Sequence, residues 1–338
     1  MKFFKRILNI DYKRMFNTIR SIQKRSNKSF IFITIDIIRC YFKYGSGYID
    51  YFLFFFEDLS DEKKATFINR TVNESYIRKL NNKDYYHIFS NKPEFLETYK
   101  KYIVRDWLYL KEADYKDYLK FVKKHKKFIC KPDNGMCGIG VSIIDTKGKD
   151  LKKIYDELIS NNTLLLEELL IQNTSISKIY PNSINTIRVY TININGNVHI
   201  MFKAIRIGNH GKIVDNFNNG GMFSVIEDDG YIRKPAIDKL NNVFIKHPMT
   251  NHNIVGFKIP KYKEIIKLCK KLALVVPEIK YAAWDIAVTK NGLDIVEGNE
   301  HPGYDIYQSR PHLNPNNIHG MKEYFDSVIY GESKWEKL

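Results

Sequence analysis

Asp285, Glu297 and Asn299 are the side chains whose types and spacing point most directly to chemistry. They lie in the stretch from Trp284 to Asn299, where two runs of β-formers, Asp285–Val288 and Leu293–Val296, flank Lys290-Asn291-Gly292. Asn-Gly between such runs is a strong hairpin signal. A three-residue loop with Gly292 in the left-handed position would pair Thr289 with Leu293, Ala287 with Ile295 and Asp285 with Glu297. Strand residues two apart share a face, so Asn299 would point the same way as Glu297. Two carboxylates and an amide oxygen on one side of a ribbon suit a hard divalent cation, and magnesium commonly bridges such groups to nucleotide phosphates. The alternative is an exposed hairpin whose acids keep it soluble. The metal reading requires a phosphate-binding half elsewhere in the chain.

Lys131 is the natural candidate for that half. Phe128 to Pro132 reads as a short strand, followed by a loop carrying Gly135, Gly138 and Gly140 and by a second strand, Val141–Ile144. A glycine-rich loop between strands can wrap its backbone N–H groups around phosphate oxygens, with Lys131 adding a point charge. No Gly-Lys-Ser/Thr follows, so this is not a Walker A loop, and a plain turn is the alternative. Cys137 within it reads as a small filler. Thr163–Ile171 reads as a buried strand with Glu167 and Glu168 near its end. Backbone leaving a sheet there, through Leu169, can pair with an adenine edge, or the glutamates can simply reach solvent.

Basic residues come from a second hairpin around Asn195-Gly196, with strands Asn185–Ile192 and Val198–Ile207. Lys203 and Arg206 fall on opposite faces of a regular strand, so a bulge would be needed to aim both at one ligand. Arg188 sits in an apolar run, where a buried guanidinium needs anionic partners or several acceptors. Val214 to Gly221 is a polar, glycine-containing segment suited to a binding loop.

These groups need elements to hold them. The chain has 338 residues, enough for two or three domains, and its 44% apolar content supports a sizeable core. Tyr and Phe are abundant, at 23 and 21. The net charge of +16 is uneven: residues 1–130 carry 28 Lys and Arg against 15 Asp and Glu, a net of +13. That excess suggests an anionic partner for the N-terminal part: phospholipid, nucleic acid or anionic polysaccharide. The four cysteines lack zinc spacing and a dense disulfide pattern, and no secretory signal is read, so a reducing cytoplasm is expected. Phe30 to Phe42 is the longest apolar stretch, interrupted by Asp36 and Arg39 and too short to span a bilayer.

Residues 1–29 read as a basic amphipathic helix, which either packs its stripe on the protein body or lies on an anionic membrane surface; packing is the favoured reading. A more buried helical region follows to residue 60, broken at Gly45-Ser-Gly47. Helices are expected over Asp61–Arg78, Tyr115–Lys126, Leu151–Ser160 and Tyr262–Leu274.

The order of these stretches resembles the ATP-grasp superfamily. More narrowly it resembles the sugar-transfer-associated ATP-grasp branch, related to α-L-glutamate ligase-like proteins found with polysaccharide biosynthesis genes. The narrower match rests on Ser183-Ile-Asn-Thr-Ile-Arg188, Arg206-Ile-Gly208, Val214-Asp-Asn-Phe-Asn-Asn-Gly-Gly221, His247-Pro248, and Trp284-Asp285 with Glu297-Gly-Asn299. The resemblance implies an α+β, ATP-grasp fold in which two subdomains sandwich ATP, preceded by a helical extension. The expected boundaries are 1–75 for the basic helical region and 76–330 for the ATP-grasp domain. Within it, the glycine-loop subdomain covers about 125–170 and the metal-site subdomain about 171–330.

Carried over residue by residue, the resemblance makes Lys131 the binder of the α- and β-phosphates, with Gly135, Gly138 and Gly140 letting the hairpin close over them, and gives adenine to the segment of Glu167, Glu168 and Leu169. It gives the transferred phosphoryl or acyl-phosphate to Arg188, Arg206 and Lys203, and one or two Mg2+ ions to Asp285, Glu297 and Asn299. A further phosphate lysine is expected upstream, either Lys83 or Lys92. Peptide-ligase members often carry an arginine just before the first metal carboxylate, where this chain has Ala283 and Trp284, so that charge must come from elsewhere, with Arg188 the candidate.

The implied activity is ATP-dependent joining of a carboxylate to an amine through an acyl-phosphate, on a sugar acid or glycan of a surface polysaccharide such as capsule or lipopolysaccharide. The alternatives are an ATP-grasp kinase and a non-catalytic binding protein. Nucleic acid is an unlikely partner, because the aromatic and basic residues of 1–130 follow helical core periodicity and match no recognition module. The expected location is the cytoplasm, at most peripheral to the inner face of the membrane through residues 1–29.

Overall fold

The computed structural model describes residues 11–132 and 140–331. The chain divides into two compact units, one formed by residues up to Lys79 together with Gly303 onward, the other by Leu80–Pro302. Residues from Gly303 onward group with the helical unit.

The helical unit contains Tyr12–Ser26, Phe30–Tyr44, Tyr48–Phe54, Asp61–Ala65, a helix beginning at Arg70, and Lys322–Tyr330. Its core joins Ile19 and Ile22 to Ile33, Ile37 and Cys40, and then to Tyr51, Phe54, Phe56 and Phe67. Asp36 is buried in it and accepts hydrogen bonds from Lys64 Nζ at 2.6 Å and Tyr51 Oη at 2.8 Å. The single helix expected over Asp61–Arg78 is two. Residues 66–69 are drawn out of the helix because Gln308 Oε1 accepts from Ile68 N at 3.0 Å and Thr66 Oγ1 accepts from Gly320 N at 2.7 Å. Tertiary partners thus outcompete local propensity.

Leu80–Pro302 holds two antiparallel sheets. The smaller has the order β1-β4-β2-β3, with β1 Trp107–Tyr109, β2 Lys127–Lys131, β3 Ser142–Asp145 and β4 Leu165–Glu168. Helices Tyr115–Lys124 and Leu151–Ser160 cover one face. Tyr118, Phe121, Val122, Ile154 and Leu158 pack there against Phe128, Cys130 and Leu166. Because side chains alternate, Ile129, Lys131 and Glu167 project from the other face.

The larger sheet has the order β11-β10-β5-β6-β7-β8-β9. Its first four strands are β11 Gly292–Asn299, β10 Tyr281–Thr289, β5 Ile187–Ile194 and β6 Asn197–Ile207; β7 Met222–Val225, β8 Ala236–Ile237 and β9 Val243–Phe244 complete it. Every residue of β10 is buried, as expected of a central strand. Ile265, Cys269 and Leu272 of helix Tyr262–Leu272 join Ile187, Val189, Ile205 and Trp284 in its core.

The β10–β11 hairpin pairs Asp285 with Glu297, as the sequence leads one to expect, and Ala283 with Asn299. The turn differs. Lys290-Asn291 forms a two-residue connection that pairs Thr289 with Gly292, whose φ is +141°. Val288 then faces Leu293 and Ala287 faces Asp294. A bulge between Asp285 and Ile286 on this ladder absorbs one extra residue and restores the expected register at the acids.

Candidate active site

Both sheets contribute to a cavity of about 460 Å³ within Leu80–Pro302, inside the roughly 300–1,000 Å³ range of small-molecule sites. The smaller sheet supplies Ile129, Lys131 and Glu167, and the larger supplies Arg206, Asp285, Val296 and Glu297. The segment 168–172 runs along the wall after β4, and the loops around Ser183 and Asp215 close another side.

On the larger sheet, Asp285 lies opposite Arg188 on one side and Glu297 on the other. Arg188 pairs with Ala204, which puts Arg206, two residues on, on the same face. The outcome is a buried charge cluster. Arg188 donates to Asp285 through Nε at 2.7 Å and NH2 at 2.5 Å, and Arg206 donates through NH1 at 2.5 Å. Arg206 also reaches Asp215 at 3.0 Å. Asp215 in turn accepts from Thr186 N at 2.9 Å and Thr186 Oγ1 at 2.5 Å. Arg188 therefore has the anionic partner that its apolar setting demanded, and its guanidinium reaches Asp285 from the neighbouring strand.

Burial alone would raise the Asp285 carboxyl, but Arg188 and Arg206 outweigh it and hold the group well below the usual carboxylate range. Glu297 behaves oppositely. Desolvation, followed by the charge of Asp285, pushes it up to about 6. It stands 3.5 Å from Arg188 and keeps 52% of its side-chain surface exposed. Asn299, opposite Ala283 on the hairpin, is half-buried and is not among the residues that line the cavity; its Nδ2 is buried with no hydrogen-bond partner among the described residues. Asp285, Glu297 and the Asn299 amide oxygen are donors of the kind a hard cation takes, and both Asp285 oxygens are bound here by Arg188 and Arg206.

On the smaller sheet, Lys131 Nζ binds Glu167 Oε1 at 2.8 Å. Glu167 does not reach solvent: it is buried, and its other oxygen accepts from Arg105 Nε at 2.7 Å. Burial works to raise its carboxyl, but Arg105 and Lys131 prevail and hold it at about 2. Glu168 points elsewhere, accepting from Asp106 N at 3.0 Å, while its segment and Leu169 line the cavity. Asp106, His125 and Glu168 bring ligand-type atoms within 4.8 Å of one another. Lys124 and His125 already pair with Asp106 there.

Of the two upstream lysines, Lys92 lines the cavity and donates to Pro132 O at 3.1 Å, whereas Lys83 is not among the lining residues. Lys203 is not brought to the site. It lies on the opposite face from Arg206, as strand parity demands, and pairs with Asp228. Its assignment to the phosphoryl group finds no geometric support. Gly135 and Gly138 lie outside the described residues; Gly140 is described, with φ +76°.

Arg105 is the functional-site residue that the sequence hides. It lines the cavity and links the two sheets through Glu167 and Asp294 Oδ1, the latter at 2.7 Å from its NH1. Ile295 O accepts from the same NH1 at 2.6 Å. Nothing in Tyr102-Ile-Val-Arg105-Asp-Trp107 distinguishes it, because its partners lie 62 and 189 positions away.

Several motif residues act as supports for the binding loops. Asn185 Oδ1 accepts from Gly208 N at 3.0 Å, and His247 Nε2 approaches Gly208 O at 2.9 Å. Trp284 turns away from the site into the core, donating from Nε1 to Thr191 Oγ1 at 2.9 Å. Gly298, opposite Trp284, leaves room for aromatic rings: a Cβ there would stand 2.9 Å from both Phe89 and Phe95. This explains a glycine between Glu297 and Asn299 without invoking chemistry.

Two sheets of an α+β unit face one cavity, one carrying a lysine and the other a carboxylate–arginine cluster. The model of the sugar-transfer associated ATP-grasp family matches residues 71–312, and the chain belongs to that family. Among solved structures, similarity is found to ATP-grasp ligase PsnB complexed with minimal precursor, at 15% identity and a TM-score of 0.46, covering 75% of this chain and 64% of that one. D-alanyl-alanine synthetase A from Vibrio cholerae gives 13% identity, a TM-score of 0.44, and coverage of 72% and 64%. An L-amino acid ligase from Bacillus licheniformis gives 13% identity, a TM-score of 0.39, and coverage of 65% and 42%. The chain thus spans less than two thirds of the length of each of these proteins. A search of curated protein sequences finds no match.

Proposed function

We propose that the chain is an ATP- and Mg2+-dependent carboxylate–amine ligase that works through an acyl-phosphate. Its acceptor would be a sugar acid or glycan of a surface polysaccharide, modified at the cytoplasmic side. The observation that carries the reading is the meeting of Lys131, Arg206, Asp285 and Glu297 around one cavity, from opposite sheets, in a chain of this family.

When bound, Mg2+ held by Asp285, Glu297 and Asn299 would neutralise phosphate charge. Lys131 and Lys92 would meet the α- and β-phosphates, and Arg206, with Arg188 behind Asp285, would offset the charge that spreads over the transferred phosphoryl group. Backbone along 168–172 offers hydrogen-bond partners for the adenine edge. The substrate carboxylate attacks the γ-phosphorus and ADP leaves. An amine then attacks the acyl carbon and phosphate leaves, giving an amide. The apolar wall, with Ile129, Ile143 and Val214, limits the water that would hydrolyse the acyl-phosphate.

Incubation with ATP, Mg2+ and a panel of sugar acids, with and without amines, tests this reading. Amine-dependent phosphate release accompanied by an amide product is expected. A stable phosphorylated sugar that forms without amine would replace it with a kinase.

A further inference from the structure

The helical unit displays a surface that the ligase chemistry does not use. Helix Phe30–Tyr44 buries Ile33, Ile37 and Cys40 in its core. Its opposite side is apolar as well: Ile31, Ile35, Ile38 and Phe42 are 72%, 60%, 52% and 69% exposed. Their spacing of four, three and four residues places them on one stripe. Phe16 of Tyr12–Ser26 is also exposed, and its ring lies 5.3 Å from that of Phe30. A helix apolar on two opposite sides is ordinarily covered on both, and contiguous exposed apolar surface marks an interaction site. With 15 residues the helix is too short to cross a bilayer. Among the described residues no helix is long and apolar enough to do so.

Charge around the stripe selects what covers it. Between Tyr12 and Tyr44 the only acidic residue is Asp36, which is buried and bound by Lys64. Lys13, Arg14, Arg20 and Lys24 are exposed along the first helix, and Arg20 sits 4.5 Å over the Phe16 ring. Arg39 and Lys43 flank the stripe on the second helix, where both reach Asp61. A second copy docked through the same face would set this basic collar against itself. A lipid surface with anionic headgroups offers apolar depth and opposite charge together.

We propose that the Ile31–Phe42 stripe, with its basic collar, docks the helical unit onto an anionic membrane surface with the helix lying in the plane of the headgroups. The apolar contact thus falls on the second helix, beyond the residues 1–29 that sequence pattern singles out, and the proposal is independent of the ligase reading.

Cosedimentation of the full chain with phosphatidylcholine vesicles, with and without phosphatidylserine, tests it. Phosphatidylserine-dependent binding is expected. Replacing all four stripe residues together (Ile31→Ser, Ile35→Ser, Ile38→Ser and Phe42→Ser) should weaken it at least about tenfold, with an unchanged melting temperature because these side chains face outward. Lys13→Gln, Arg14→Gln, Arg20→Gln and Lys24→Gln together should weaken binding and flatten its salt dependence. Three results would overturn the proposal: no phosphatidylserine-dependent binding, undiminished binding by the stripe variant, or a wild-type dimer in light scattering that the stripe variant converts to monomer.

Discussion

Glu297→Gln and Asp285→Asn are both expected to weaken magnesium-dependent nucleotide binding sharply, yet the geometry gives them very different consequences for stability. Glu297 is half exposed, and Arg188 lies 3.5 Å away with Asp285 as its closer partner. The Glu297 carboxyl is pushed up to about 6 from the ordinary 4.5, so its charge is disfavoured in the fold, and losing it should leave stability unchanged or slightly higher, within about 1 kcal/mol. Asp285 is buried and neutralises two guanidiniums. Arg206 would retain Asp215, but Arg188 would be left with the long contact to Glu297. Removing one partner of a buried pair costs about 3–5 kcal/mol. The surviving contacts argue for the lower end, about 3 kcal/mol, which lowers the melting temperature by roughly 6–12 °C in a unit of this size. Loss of a residue one layer behind a metal ligand already costs about 10–100-fold, so losing the ligand itself in Glu297→Gln should weaken Mg2+-dependent ATP binding about 100-fold or more. Differential scanning fluorimetry and magnesium titrations of nucleotide binding read the two effects separately. Near wild-type magnesium dependence in Glu297→Gln would refute the assigned donor set. Equal destabilisation by the two variants would refute the electrostatic account of the cluster.

Arg105→Met should destabilise the unit by about 3–5 kcal/mol, because Glu167 and Asp294 would both lose a buried partner; chemical denaturation measures it. Gly298→Ala should cost about 1–3 kcal/mol by forcing Phe89 and Phe95 apart, and a melting temperature equal to wild type would reject that close approach. Glu167 gives a pH signature. Its folded carboxyl is held at about 2, below the ordinary 4.5, so its stabilisation is complete above about pH 4.5 and is lost as pH falls toward 2. The shift corresponds to about 3 kcal/mol, and the stability gap between wild type and Glu167→Gln should close over that window.

What the sequence made legible was short-range. Asn-Gly and period-two alternation brought Asp285 opposite Glu297 even though the turn was miscounted, because the bulge on the β10–β11 ladder corrects by one residue what the shorter turn removes. Parity along β6 likewise separated Lys203 from Arg206 before any fold was known. Long-range choices were not legible. Arg105 sits in ordinary surroundings, and only folding brings Glu167 and Asp294 to it. The split of the 61–78 helix depends on Gln308 and Gly320, far along the chain. Glu167 and Glu168 looked equivalent, yet alternation on a strand covered on one side sends one into a buried ion pair and the other to Asp106.

Calorimetric titration of ATP into the wild-type chain and Lys131→Met, each with and without Mg2+, tests the central claim most directly. The account predicts Mg2+-dependent binding by the wild type that falls at least about tenfold when the Lys131 charge is removed. Binding that is absent, or equally tight without Mg2+ and without the Lys131 charge, would contradict a nucleotide site between the two sheets.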